Sequence, residues 1–114
     1  MAVAEQIEPA QRGATRIADR VVAKIAAQAA REALDRLPEG GAPPRATVTV
    51  HQDSARVRVC LELGYPGDLG GQCGAVRRQV AERVRALAGM EVPEVAVQIE
   101  RLHAEGPGDR GRIR

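Results

Sequence analysis

VRVCLELGYPGDLGGQCGAVRRQVAERVRALAGMEVPEVAVQIERL, residues 57–102, is the stretch that decides the fold. Val57, Val59, Leu61 and Leu63 alternate with polar or small residues, the period of a half-buried strand. Tyr65-Pro66-Gly67-Asp68 breaks it. Leu69, Cys73, Val76, Val80, Val84 and Leu87 then recur at steps of three and four, and Gly89 ends that run. Val95, Val97 and Ile99 alternate again. Period two, then 3.6, then two is the signature of a helix crossing between two strands of one sheet.

Outward from this segment, the whole chain of 114 residues suits one domain with one modest core. Hydrophobic residues make up 44%, but there is one Tyr and no Phe or Trp. The core must therefore come from Val, Leu, Ile and Ala. Of 17 basic side chains only Lys24 is lysine, and the net charge of +2 is too small to argue for a nucleic-acid partner. No run of apolar residues is long enough to span a membrane, so direct insertion is not expected. The N-terminus lacks the apolar core of a secretory signal. Two cysteines in such a chain read as free thiols in a reducing cytoplasm. Cys60 falls on the polar phase of its strand and Cys73 on the apolar stripe of the helix, which argues against a disulfide between them.

Upstream, residues 1–12 read as a flexible N-terminal tail, and Thr15 as a cap for a helix from Arg16 to about Leu37. Its stripe is Ile17, Val21, Ile25, Ala29, Ala33 and Leu37, broadened by Val22 and Ala26. Pro38 to Pro44 forms a stiff loop. Thr47 to Val50 is a short strand, and His51-Gln52-Asp53-Ser54 turns it back into a second strand from Arg56 to Leu63. The next helix spans Leu69 to Ala88, with a start expected to fray because of Gly70, Gly71 and Gly74. The Gly/Pro/Arg-rich residues 104–114 read as a disordered C-terminal tail.

The fold expected is an α+β two-layer sandwich over 13–103, in the order α-β-β-α-β. Two helices cover one face of a three-stranded mixed sheet. The first two strands are antiparallel, and a right-handed crossover makes the third parallel to the second, most simply beside the first. Val48, Val50, Val57, Val59, Leu61, Val95, Val97 and Ile99 point inward. Thr47, Thr49, Arg56, Arg58, Cys60, Glu62, Ala96, Gln98 and Glu100 face the other side, polar enough to meet water.

This pattern offers chemistry little to work with. A nucleophile needs a base within reach, and His51 at the hairpin tip and His103 at the start of the tail are not placed to serve Cys60 or Cys73. Cys-x-x-Cys metal spacing is missing. Gly67-Asp68-Leu69-Gly70-Gly71 lacks the Lys-Ser/Thr of a phosphate loop, so Asp68 reads as a helix cap. No catalytic residue, cofactor or metal is expected. Two surfaces remain. Arg16, Arg20, Lys24 and Arg31 line the outer side of the first helix, and Arg77, Arg78 and Arg85 that of the second; a solvated face is the ordinary reading, and an acidic partner, anionic lipid or RNA the functional one. The open sheet face with Arg56, Arg58, Glu62, Gln98 and Glu100 mixes charge signs, which allows self-association through complementary pairs; solvent exposure is the ordinary reading.

Gly13-Ala14-Thr15-Arg16-Ile17-Ala18 followed by a valine-rich helix with Ala29-Ala30 resembles the opening of the alkaline shock protein family of bacterial envelope stress proteins. Arg56 to Tyr65-Pro66 is similar to that family's second strand and turn. Val76-Arg77-Arg78-Gln79-Val80 through Val84, Ala88-Gly89-Met90-Glu91-Val92 and Val95-Ala96-Val97-Gln98-Ile99 resemble its C-terminal half, so the likeness, to an actinobacterial-like member, covers 13–102. The Pro38–Pro44 loop and the glycines at 70, 71 and 74 depart from the pattern. The resemblance implies a small cytoplasmic, non-enzymatic protein that forms homo-oligomers, docks to a membrane-anchored partner and serves cell-envelope stress and cell wall homeostasis. It carries no catalytic residues. The alternative is an RNA-binding KH-like module using the basic helix face; it lacks both a Gly-x-x-Gly loop between helices and aromatic residues for stacking, so a nucleic-acid partner is not expected.

Overall fold

The computed structural model describes residues 9–34 and 37–104, with the side chains of the first helix described from Ala18 onward. Its elements run α1 (Pro9–Ala33), β1 (Arg45–His51), β2 (Ser54–Tyr65), α2 (Leu69–Ala88) and β3 (Glu91–Ala104). This is the expected α+β order, with a three-stranded mixed sheet and both helices packed on it.

The first helix departs from its expected bounds at both ends. It begins at Pro9, so residues 9–12 are helical and Thr15 lies inside the helix instead of capping it. Proline suits a first helical position because its φ is already set and its missing N–H would have had no partner. The helix ends at Ala33, and the next N–H, of Leu34, closes on Arg31 O at 3.3 Å, an i→i−3 bond that tightens the last turn. Leu37, expected to end the stripe, packs against the core from the loop instead. Of the tails expected over 1–12 and 104–114, residues 9–12 are helical and Ala104 ends β3, while 1–8 and 105–114 lie outside the described residues.

The second helix has the bounds the spacing predicts, and it does not start late. Asp68 accepts a hydrogen bond from Gly71 N at 3.0 Å, and Gly89 closes the other end at φ 66° with its N–H on Arg85 O. A Cβ at Gly71 would run into the Asp68 carboxylate, so glycine there is what lets the cap form.

The strand order corrects the sequence reading. β2 is central, antiparallel to β1 and parallel to β3, so β3 lies beside β2 and not beside β1. The physical reason is reach. Residues 66–68 and 89–90 are the only links between α2 and its two strands, which keeps β3 close to β2. The edge of β1 is already engaged by α1, whose Asp19 Oδ1 accepts from Val50 N at 3.2 Å. The β2–β3 register shifts between Ser54 and Arg56 and between Leu61 and Glu62. The shifts carry β3 on to Ala104, past the expected end at Leu102.

The core is aliphatic. Leu61, Leu63, Val59 and Val22 are fully buried with Val76, Val80 and Val84, and Ala26, Ala29 and Ala30 let α1 approach closely. The inner side of β3, with Val95, Val97 and Ile99, is only partly covered.

Candidate functional site

The outer face of the sheet is built by strand alternation. Register places Thr49, Arg56 and Glu94 in one row, Thr47, Arg58 and Ala96 in the next, and then Arg45, Cys60 and Gln98. The first two rows form a shallow groove of about 420 Å³ with Val57 at its floor. Arg56 and Arg58 stand exposed there, with no ion pair among the described residues. Threonine flanks each arginine on β1, so hydroxyls and guanidinium groups line the same groove.

The other end of this face is neutralised within the chain. Arg45 Nη2 reaches across β2 to Glu100, at 2.5 Å and 2.6 Å from its two oxygens, which raises the Arg45 pKa. Glu62 accepts from the backbone N–H of Ala42 at 3.2 Å and lies 2.7 Å from His103 Nε2. The His103 hydrogen bond, then the Ala42 N–H, holds the Glu62 carboxyl below its ordinary value. The expected open-face set Arg56, Arg58, Glu62, Gln98 and Glu100 is thus split. Gln98 is exposed, Glu62 and Glu100 are tied up inside the chain, and the two arginines stand free of ion pairs among the described residues.

His103 corrects an expectation. It does not begin a tail; it is held in β3 against Glu62, which also accepts from the Ala42 N–H and so ties the Pro38–Pro44 loop to the sheet. The shift at Leu61/Glu62 hid it, because it breaks the alternation that would have extended the strand. Arg45 was missed for a simpler reason: it lies two residues before Thr47 in the same alternation, beyond where the β-prone run begins.

On the helices, Arg20, Lys24 and Arg31 of α1 and Arg77, Arg78 and Arg85 of α2 are exposed, while the side chain of Arg16 lies outside the described residues. Lys24 and Arg31 flank a groove with Ala27, Gln28, Pro43 and Pro44. Arg83 is different: it crosses to Glu32 of α1 at 2.6 Å, so a carboxylate sits at the seam between the helices. The two basic stripes are separated by that pair.

Cys60 is half-buried and free, and Cys73 is buried and free. No cluster of three or more His, Cys, Asp or Glu suited to a metal occurs among the described residues. Nor does any described helix have the length and apolarity to cross a membrane. What the geometry defines is an α+β domain with one covered and one open sheet face, whose free charge lies in surface rows. No family model matches the chain, and no curated protein matches it.

Proposed function

We propose that this chain is a non-enzymatic interaction module that self-associates and docks to a membrane-anchored protein partner at the inner face of the membrane. The setting of cell-envelope stress comes from the family resemblance. The observation that carries the reading is the open sheet face: Arg56 and Arg58 stand exposed in a threonine-flanked groove against the single carboxylate of Glu94, while Glu62 and Glu100, at the other end of the face, are satisfied within the chain. Such an arrangement favours a partner that brings acidic groups to the groove. The exposed arginines of the two helices favour the second reading, RNA binding.

Affinity capture of the intact chain from membrane and cytosol fractions tests the proposal. A specific membrane protein is expected on the wild-type chain and lost from Arg56→Glu/Arg58→Glu, whose exposed sites leave folding intact. Light scattering is expected to show mass rising with concentration. A wild-type chain that stays monomeric and retains no membrane protein would sink the reading. RNA retardation at physiological salt, with a slope of several phosphate contacts, would replace it with the second.

A further inference from the structure

We propose that β3 is the edge at which two copies of this chain join, antiparallel about a two-fold axis through Val97. The two three-stranded sheets would then form one continuous sheet with all helices on one side. This deepens the self-association in the proposed function and rests on it.

Coverage of the sheet is the first observation. The inner side of β2 is sealed, with Val57 at 2%, Val59 at 0% and Leu61 at 1% exposure. Beside it, Val95, Val97 and Ile99 of β3 remain partly open, and Leu102 is 46% exposed. The helices thus cover the sheet's centre and leave an apolar strip along one edge. The two edges also differ in protection. The β1 edge has Asp19 of α1 on its Val50 N–H, whereas among the described residues β3 pairs with β2 alone. A long edge strand with an apolar side is a template for another strand.

The occupant is argued from symmetry. The β2–β3 register puts Val95, Val97, Ile99 and Leu102 on the inner side of β3, and Val92, within the first register shift, lies on that side too, buried at 8% exposure. Their steps are three, two, two and three residues, a palindrome centred on Val97. A two-fold needs this, because each residue must meet its mirror in number. Val97 would meet Val97, Val95 would meet Ile99, and Val92 would meet Leu102. Both irregularities of the strand, near Pro93 and near Glu100, fall opposite each other. Leu87, 64% exposed on the last turn of α2, lies just before β3 in the chain, at the end of the strand that Leu102 of the second copy would reach. Charge agrees: Glu94 would stand opposite Glu100 and Arg101 of the second copy, and Glu100 is already neutralised by its own Arg45. A strand from an unrelated protein would not require this palindrome.

A cysteine on the axis tests it. Opposed residues of an antiparallel pair have Cα atoms about 4.5 or 5.5 Å apart, inside the disulfide window of about 4.4–6.8 Å. In a Cys60→Ser background, Val97→Cys is expected to give a covalent dimer with oxidised glutathione, while Glu82→Cys on the exposed face of α2 does not. Val97→Lys is expected to weaken the wild-type dimer, seen by sedimentation equilibrium, about tenfold or more. If the wild type dimerises and Val97→Cys links no faster than Glu82→Cys, this interface is wrong while self-association stands. If the wild type is monomeric at every concentration, both fail. If Val97→Cys links only to another protein in extract, the edge binds a foreign strand and the second copy is excluded.

Discussion

Gly70 and Gly71 are adjacent, yet the structure gives them opposite roles. A Cβ at Gly70 meets nothing within 4 Å, so alanine there gains about 1 kcal/mol of helix propensity. A Cβ at Gly71 collides with the Asp68 carboxylate, and losing that cap costs about 1 kcal/mol, which cancels the same gain. Urea unfolding should therefore show a raised midpoint for Gly70→Ala and no rise for Gly71→Ala. Glu62 carries a second prediction, on pH. Its folded pKa lies below the ordinary 4.5, because His103 and the Ala42 N–H favour the carboxylate. A depressed carboxyl contributes fully above its unfolded pKa, and that contribution is lost as pH falls through the folded value. Stability should fall on acidification below 4.5, and Glu62→Gln should flatten that acid limb. An unchanged acid limb in the variant would show that the Glu62 contacts do not matter to folding.

At the scale of elements, Asp19 is the contact that assigns the two sheet edges different fates. It binds the Val50 N–H from α1, so Asp19→Ala leaves that donor to water or to nothing, at a cost of about 1–3 kcal/mol. Faster hydrogen exchange at Val50, with α2 unaffected, is the expected signature. This contact was not legible in the sequence, since an Asp on a helix gives no hint of which strand it will meet. The order of elements was legible, because Val57 to Leu63, Leu69 to Ala88 and Val95 to Ile99 each hold one period throughout. So were the Asp68 and Gly89 caps, which depend on local chemistry. The neighbour of β3 was not, because both edges satisfy its apolar pattern and only short links and the occupied β1 edge decide between them. Of the surface sites, Arg56 and Arg58 follow from alternation alone. The His103–Glu62 contact depends on a register shift that no periodicity predicts.

Across the whole molecule, the absence of Phe and Trp shapes how stability is held. Each aliphatic side chain fills little volume, so the core depends on many small, well-fitted contacts rather than on a few large anchors. Leu61 is 1% exposed at the middle of the central strand, between the helix layer and the sheet, and among the largest buried side chains. Leu61→Ala should cost about 2–5 kcal/mol, because neighbouring valines, stiff at χ1, relax poorly into the cavity. Against a total of about 5–15 kcal/mol for a domain, that is a large fraction. Arg58, three residues earlier on the opposite face, is exposed and unpaired among the described residues, so Arg58→Ala should stay within about 0.5 kcal/mol. Denaturant midpoints for the two variants, measured beside partner capture, separate the roles of the two sheet faces. Leu61→Ala should lower the midpoint and lose capture only in proportion to the unfolded fraction. Arg58→Ala should keep the midpoint and weaken capture directly. A matched loss of stability in both variants would mean that the outer face, too, is covered in the protein's working state.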